Sequence, residues 1–229
     1  NSFTHRHLCE FTGLDMEMEI KEHYFEVLDV LESLFCNIFE GLTSGKNAPL
    51  VDVVHKQFPA ESFKWLPREK SLRLTFPEGC AMLKEAGIDI DPHDDLSTET
   101  ERELGKLVKA KYGTDFYILT RYPIGARPFY TMPCADDPRY TNSYDIFMRG
   151  EEIISGAQRI HEPDFLAERA AACGLEVSTI KSYIDSFRYG AAPHGGCGVG
   201  LERVVMLFLG LNNIRKTSMF PRDPKRLAP

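Results

Sequence analysis

Residues 143–161 read SYDIFMRGEEIISGAQRIH, and the pair in the middle, Arg149 and Gly150, decides how the chain folds back on itself. Glycine suits the second position of a two-residue hairpin turn, although arginine is not the ideal first residue. Such a turn pairs Met148 with Glu151, Phe147 with Glu152 and Asp145 with Ile154. Cross-strand partners share a face, as do residues two apart on one strand, so Asp145 and Glu152 fall on one face as diagonal neighbours. Two close carboxylates repel unless a cation lies between them. A hard divalent cation with phosphate ligands, such as Mg2+, fits that arrangement. The competing reading, both carboxylates in water, is opposed by Tyr144, Ile146, Phe147, Ile153 and Ile154, which make both faces look covered. Strand parity turns Ser155 away from Glu152 unless a bulge near Gly156 re-aims it. Arg159 is a planar cation among apolar strand residues and needs an anion, either a structural carboxylate or that of a ligand.

Working outward, residues 12–20 alternate Leu14, Met16, Met18 and Ile20 with Asp15, Glu17 and Glu19. That period of two predicts a strand with one buried face. Its other face carries three carboxylates, which read alone as a solvated surface. Val27, Leu31, Leu34, Phe35, Ile38, Phe39 and Leu42 then form a helical stripe. Residues 44–69, broken by Pro49, Pro59 and Pro67, read as an irregular insertion. Leu72, Leu74 and Phe76 mark a short strand. Pro77 opens a helix at its first position and Gly87 ends it. Residues 89–95 form an acidic loop. Thr98 and Glu101 resemble a capping box for a helix ending at Gly113. Residues 115–122 and 128–132 read as strands, and 163–173, 178–187 and 202–209 as helices. Few regular strand–helix–strand units favour an α+β fold.

Two further segments carry chemistry. Gly195-Gly196-Cys197-Gly198-Val199-Gly200-Leu201-Glu202-Arg203 reads as a glycine-rich turn before an apolar helix, with Arg203 near the helix start. Helix N-termini and arginine both favour phosphate. The run is neither a Walker loop nor a clean dinucleotide fingerprint. Thr4-His5-Arg6-His7-Leu8-Cys9-Glu10-Phe11 places cations beside an aromatic ring just ahead of the acidic strand, a pattern that could hold a triphosphate and stack a base.

Composition narrows the class. The net charge of -7 argues against a general nucleic-acid coat. The six cysteines are scattered, with no metal-ligand spacing, and point to a reducing, cytosolic setting. No apolar run reaches the roughly 20 residues that cross a bilayer, and no leader precedes the first strand.

Together, the segments THRHLCEFTGLDMEME, FYTMP, SYDIFMRGEEIISGAQRIH, GVGLERVVMLFLGL and FPRDPKRL resemble the class II aminoacyl-tRNA synthetases, and among them the aspartyl enzymes of eukaryotic and archaeal type. The resemblance covers nearly the whole chain. It implies an antiparallel sheet flanked by helices, and a reaction in which L-aspartate and ATP give aspartyl-adenylate, whose aspartyl group passes to the 3′ end of tRNA(Asp). It implies that Arg6, His7, Leu8, Phe11, Glu152, Gly200, Leu201, Glu202 and Arg203 bind ATP, with His7 and Arg203 on the γ-phosphate and Phe11 on the adenine. It implies Asp145 and Glu152 for Mg2+, and Ser155, Arg159, Asp15 and Glu17 for aspartate. Arg159 would pair with the side-chain carboxylate and Asp15 or Glu17 with the ammonium. Ser2 and Thr4 would meet the tRNA acceptor end. Residues 1–229 would be the catalytic domain of a longer, cytoplasmic, homodimeric enzyme, without motif 1, the first arginine of motif 2 or the anticodon-binding domain. Cys197, where the family tends to have glycine, is expected to be tolerated if its φ is negative. Rival readings are an asparaginyl or non-discriminating synthetase, a non-catalytic paralogue, and another adenylate-forming ligase.

Overall fold

The computed structural model describes residues 4–227. Six strands form one mixed sheet: β1 (Gly13–Glu19), β2 (Arg73–Thr75), β3 (Phe116–Thr120), β4 (Ser143–Met148), β5 (Glu151–Gln158) and β6 (His194–Gly200). Their spatial order is β1-β6-β5-β4-β3-β2. All neighbours are antiparallel except β2 and β3, which run parallel.

The β4–β5 hairpin turns on Arg149 and Gly150, with φ of 51° and 75°. Two positive values are what a type I′ turn requires. Arginine tolerates this backbone because its side chain is tied down. Its Nε donates to the Leu207 carbonyl at 2.8 Å and its Nη2 to the Glu61 carbonyl at 2.6 Å.

The register follows expectation for Met148–Glu151 and Phe147–Glu152 and then shifts. Ile146 pairs with Ile154, and Asp145 with Ser155 rather than Ile154. The bulge therefore lies at Ile153, not at Gly156. Its physical reason is that Ile153 and Ile154 both enter the same core, at 3% and 0% exposure, which strict alternation would forbid. Gly156 has another use: a Cβ there would lie 2.4 Å from the Tyr144 ring, whose hydroxyl donates across it to the Gly196 carbonyl at 3.0 Å.

Helices cover the sheet unequally. One face is buried by α1 (Phe25–Thr43) and by α7 (Leu201–Phe208), which meets it through Phe208. They enclose Phe35, Phe39, Phe116, Ile146, Cys197 and Val199. Between α1 and β2 stands α2 (Ala48–Gln57). On the opposite face, α3 (Phe76–Glu85) and α4 (Thr98–Tyr112) bury Tyr117, Leu119 and Phe147. A smaller cluster forms from Ile160 with α5 (Pro163–Ala172) and α6 (Lys181–Arg188). The part of this face over β1, β6 and β5 is left for the site.

Several expectations need correction. Residues 44–69 contain α2, because Pro49 falls in the first turn, where a missing N–H costs nothing. Pro77 is the second helical residue of α3, after Phe76, and the N-cap is Thr75. The N-cap of α4 is Ser97, whose Oγ accepts from Thr100 N at 3.2 Å, so Thr98 and Glu101 form no capping box. Residues 128–132 are not a strand; Thr131 makes only an isolated bridge to Arg159. Residues 178–187 divide between a 3-10 turn, Val177–Ile180, and α6. The glycine-rich run is β6 rather than a turn. Glycine is needed there by close approach: a Cβ on Gly196 would lie 1.9 Å from the Met16 carbonyl oxygen. Cys197 has no positive φ and faces the core.

Candidate functional site

The 4–11 segment crosses the open half of the sheet because the C-terminal region pins it. Ile214 N donates to the His5 carbonyl at 2.7 Å, and Cys9 N to the Arg222 carbonyl at 3.0 Å. Arg222 Nε lies 2.9 Å from Glu10 Oε2. Arg6 reaches the start of α4, donating to Thr98 Oγ1 at 2.8 Å. The middle of α4 is fixed by contact between glycines, since a Cβ on Gly105 would stand 2.4 Å from Gly150 Cα.

A cavity of about 600 Å³ results. Arg6, His7, Leu8, Phe11, Asp15, Glu152, Gly200, Glu202 and Arg203 all line it. Leu201, also expected there, does not; it is the first residue of α7, 46% exposed. Phe11 is 63% exposed and offers a ring face. Glu202 has a second task, accepting from Thr12 N with both oxygens at 2.9 and 3.0 Å, which fixes the entry to β1. Arg203 Nη1 donates to the Glu152 carbonyl at 2.9 Å, and its Nη2 lies 3.4 Å from His7 Nε2.

Arginine only donates, so His7 Nε2 is the acceptor, and its Nδ1 carries the hydrogen toward Thr4 Oγ1 at 2.6 Å. Burial lowers the His7 pKa below its ordinary value, helped by the positive charge of Arg203, Arg6 and His5. The ring is therefore neutral at pH 7. Thr4 itself is exposed. Ser2 lies outside the described residues.

Asp145 and Glu152 share the sheet face. Asp145 is 4% exposed, and its Oδ1 has no hydrogen-bond partner. Burial raises the pKa of Glu152, and the neighbouring Asp145 raises it further, while Arg203, Arg127 and Arg6 oppose the shift. A buried carboxylate pair with an unpartnered oxygen suits a cation. Among the described residues no cluster of three or more His, Cys, Asp or Glu could hold one alone. A cation here would take the rest of its shell from substrate oxygens and water, as Mg2+ does.

A second, adjoining hollow of about 290 Å³ is lined by Glu17, Arg159, Tyr130, Tyr183, Phe187 and His194. Arg159 is 22% exposed at its side chain and stacks 4.9 Å from the Tyr130 ring centre. Its anion is Glu17, but only through Nε at 3.3 Å. Ser155 lines neither cavity; it lies beside them, opposite Asp145.

Four functional candidates escaped the sequence reading. Arg127 joins Asp145 to Ser155. The signal that singled out Arg159, a cation among apolar residues, was present in Ile124-Gly125-Ala126-Arg127-Pro128-Phe129 too. Glu101 is partly buried near Glu152 and Asp145, and its pKa is pushed up to about 8 by desolvation and then by those two charges. Glu151 accepts from Arg102 at 2.9 and 3.2 Å and lies 4.0 Å from Arg6, bracing the loop. His194 lines the smaller hollow.

Residues 1–224 match the family described as tRNA synthetases class II (D, K and N). The chain is 64% identical over 229 residues to aspartate–tRNA ligase 2, cytoplasmic, of Arabidopsis thaliana, covering all of this chain and 40% of that protein. It is 58% identical to aspartate–tRNA ligase, cytoplasmic, of Homo sapiens, covering all of this chain and 45% of that protein. The chain thus spans less than half the length of these relatives. Among solved structures, the aspartyl tRNA synthetase from Entamoeba histolytica superposes with a TM-score of 0.95 at 54% identity, covering 100% of this chain and 46% of that one. The asparaginyl-tRNA synthetase from Pyrococcus horikoshii complexed with asparaginyl-adenylate gives 0.83 at 28% identity, covering 100% and 51%.

Proposed function

The chain belongs to the class II tRNA synthetases (D, K and N), and from that premise we propose that it is the catalytic part of an aspartate–tRNA ligase. The observation that carries this reading is the division of one sheet face into two adjoining hollows. One has Arg6, His7 and Arg203 beside Glu152. The other has Arg159, held only weakly by Glu17. The first suits a triphosphate, and the second a small carboxylate.

Arg6 and Arg203 bind phosphate oxygens, which accept from their guanidinium groups. Phe11 stacks on the adenine. His7, neutral in the free site, gains a reason to protonate when a γ-phosphate arrives beside it. Leu8, Gly200 and Glu202 complete the ATP wall, while Leu201 acts only through the start of α7. Asp145 and Glu152 would hold Mg2+, which when bound neutralises phosphate charge. Arg159 pairs with the side-chain carboxylate of L-aspartate, releasing part of its hold on Glu17. Asp15 and Glu17 then face the substrate ammonium. Asparagine would leave the partly buried guanidinium without a substrate anion, which disfavours it. The α-carboxylate oxygen attacks the α-phosphorus, and the bond to pyrophosphate breaks. Aligning the two reactants and stabilising the charge does most of the catalytic work.

Thr4, which is exposed, would meet the 3′ end of tRNA(Asp). Residues 1–229 are read as one catalytic domain of a longer, homodimeric, cytoplasmic enzyme. Support comes from the relatives' greater length and their printed names. No described helix is long and apolar enough to cross a membrane, and no membrane partner is proposed.

The test is exchange of pyrophosphate into ATP by the full-length protein, with aspartate or with asparagine. Exchange with aspartate alone is the expected result. Exchange with neither, from folded and ATP-binding protein, overturns the reading.

A further inference from the structure

We propose that Arg127 is a positioning residue that sets the metal-facing oxygen of Asp145 and the hydroxyl of Ser155 together, so that the phosphate side and the amino-acid side of the site are aligned by one guanidinium. This inference rests on the function proposed above. Arg127 follows the 3-10 turn Ile124–Ala126 and precedes Pro128, outside every strand and α-helix. Its side chain is 8% exposed. Nη2 lies 2.7 Å from Asp145 Oδ2, and Nη1 donates to Ser155 Oγ at 2.7 Å. The guanidinium carbon sits 3.8 Å from the centre of the Tyr122 ring, itself 2% exposed.

Each contact removes a freedom. The Tyr122 ring fixes the plane of the guanidinium. The ion pair on Oδ2 leaves the buried Oδ1 of Asp145 as the oxygen without a partner. The bulge at Ile153 brings Ser155 opposite Asp145, within reach of the same planar group. A fork of fixed geometry can hold two acceptors at once in a way that a lysine ammonium, a point charge on a flexible stem, does not. A merely structural arginine would need neither a hydroxyl that stands beside Gly198 at the edge of the larger cavity nor an acceptor whose second oxygen is left bare.

The experiment uses the full-length protein with Arg127→Lys and Arg127→Met. Two quantities are read: binding of Mn2+ in the presence of ATP, from the paramagnetic resonance of free Mn2+, and KM against kcat for aspartate in pyrophosphate exchange. Arg127→Lys keeps the charge beside Asp145, so Mn2+ binding should stay within about threefold of the parent. The same variant releases Ser155, and its KM for aspartate should rise about tenfold, with a smaller fall in kcat. Arg127→Met should weaken Mn2+ binding by about tenfold or more, as expected when a residue supporting a metal ligand is lost. A Lys variant with the parent's KM, or a folded Met variant with the parent's Mn2+ affinity, overturns the proposal. If Arg127→Met fails to fold, the KM of Arg127→Lys decides it. A parent that shows no aspartate-dependent exchange defeats the functional reading instead, and the Mn2+ measurement still decides whether Arg127 orders Asp145.

Discussion

Glu101 shows how one partly buried carboxyl can make stability depend on pH. Its folded pKa of about 8 lies well above that of a free glutamate, with burial as the first cause and Glu152 and Asp145 as the next. A raised acid binds its proton more tightly in the folded state, so the folded state loses stability as pH climbs from about 4.5 towards 8. Glu101→Gln cannot ionise. In metal-free buffer the variant should match the parent near pH 5 and exceed it at pH 9, by on the order of 2 kcal/mol after allowance for solvent screening. Thermal midpoints at the two pH values check this, and a constant difference between variant and parent would refute it. His7 illustrates the converse: burial first, and then the charges of Arg203 and Arg6, lower its pKa.

Among the elements, α3 has the best-defined start. Thr75 Oγ1 accepts from Glu78 N at 3.3 Å, and Glu78 Oε2 accepts from Thr75 N at 2.7 Å. The bond from Thr75 N, and then one that the Thr75 hydroxyl donates to the same oxygen at 2.8 Å, hold the Glu78 carboxyl below its usual pKa. Thr75→Ala should therefore cost about 1 kcal/mol at pH 7, a fall in midpoint of roughly 2–4 °C. A lowered carboxyl contributes stability above its unfolded pKa and loses it in acid, so the deficit should shrink as pH drops towards 3. The sequence made the α1 stripe and the Arg149–Gly150 turn legible because periodicity and turn chemistry are local signals. The bulge at Ile153 was not, since it follows from two adjacent isoleucines seeking one core. Nor was α2, whose proline reads as a breaker until its place in the first turn is known. The residues around the large cavity could be named from the family resemblance, but Arg127 is recognisable only once Asp145 and Ser155 stand opposite each other.

For the molecule as a whole, stability and site belong to different faces of the same sheet. Phe39 is fully buried, with ring centres of Phe63, Phe116, Trp65, Phe208 and Phe35 all between 4.9 and 5.8 Å away. It ties α1 to β3, α7 and the chain that follows α2. Phe39→Ala should cost about 3–5 kcal/mol, read as a lower urea midpoint with little change in slope. A loss below about 1 kcal/mol would mean that the core closes around the gap. The half of the opposite face over β1, β6 and β5 depends instead on having almost nothing on it. Along β6, Gly198 and Gly200 present main chain to the open side, and a methyl group on Gly198 would already stand 3.0 Å from Asp15 Oδ1. An inhibitor seated on that strand would meet a surface with few routes to drug resistance, because any mutation there adds bulk that excludes the natural substrate along with the drug. Escape variants should instead arise in the surrounding walls, at positions such as Phe11, whose exposed side chain can change size without touching the floor.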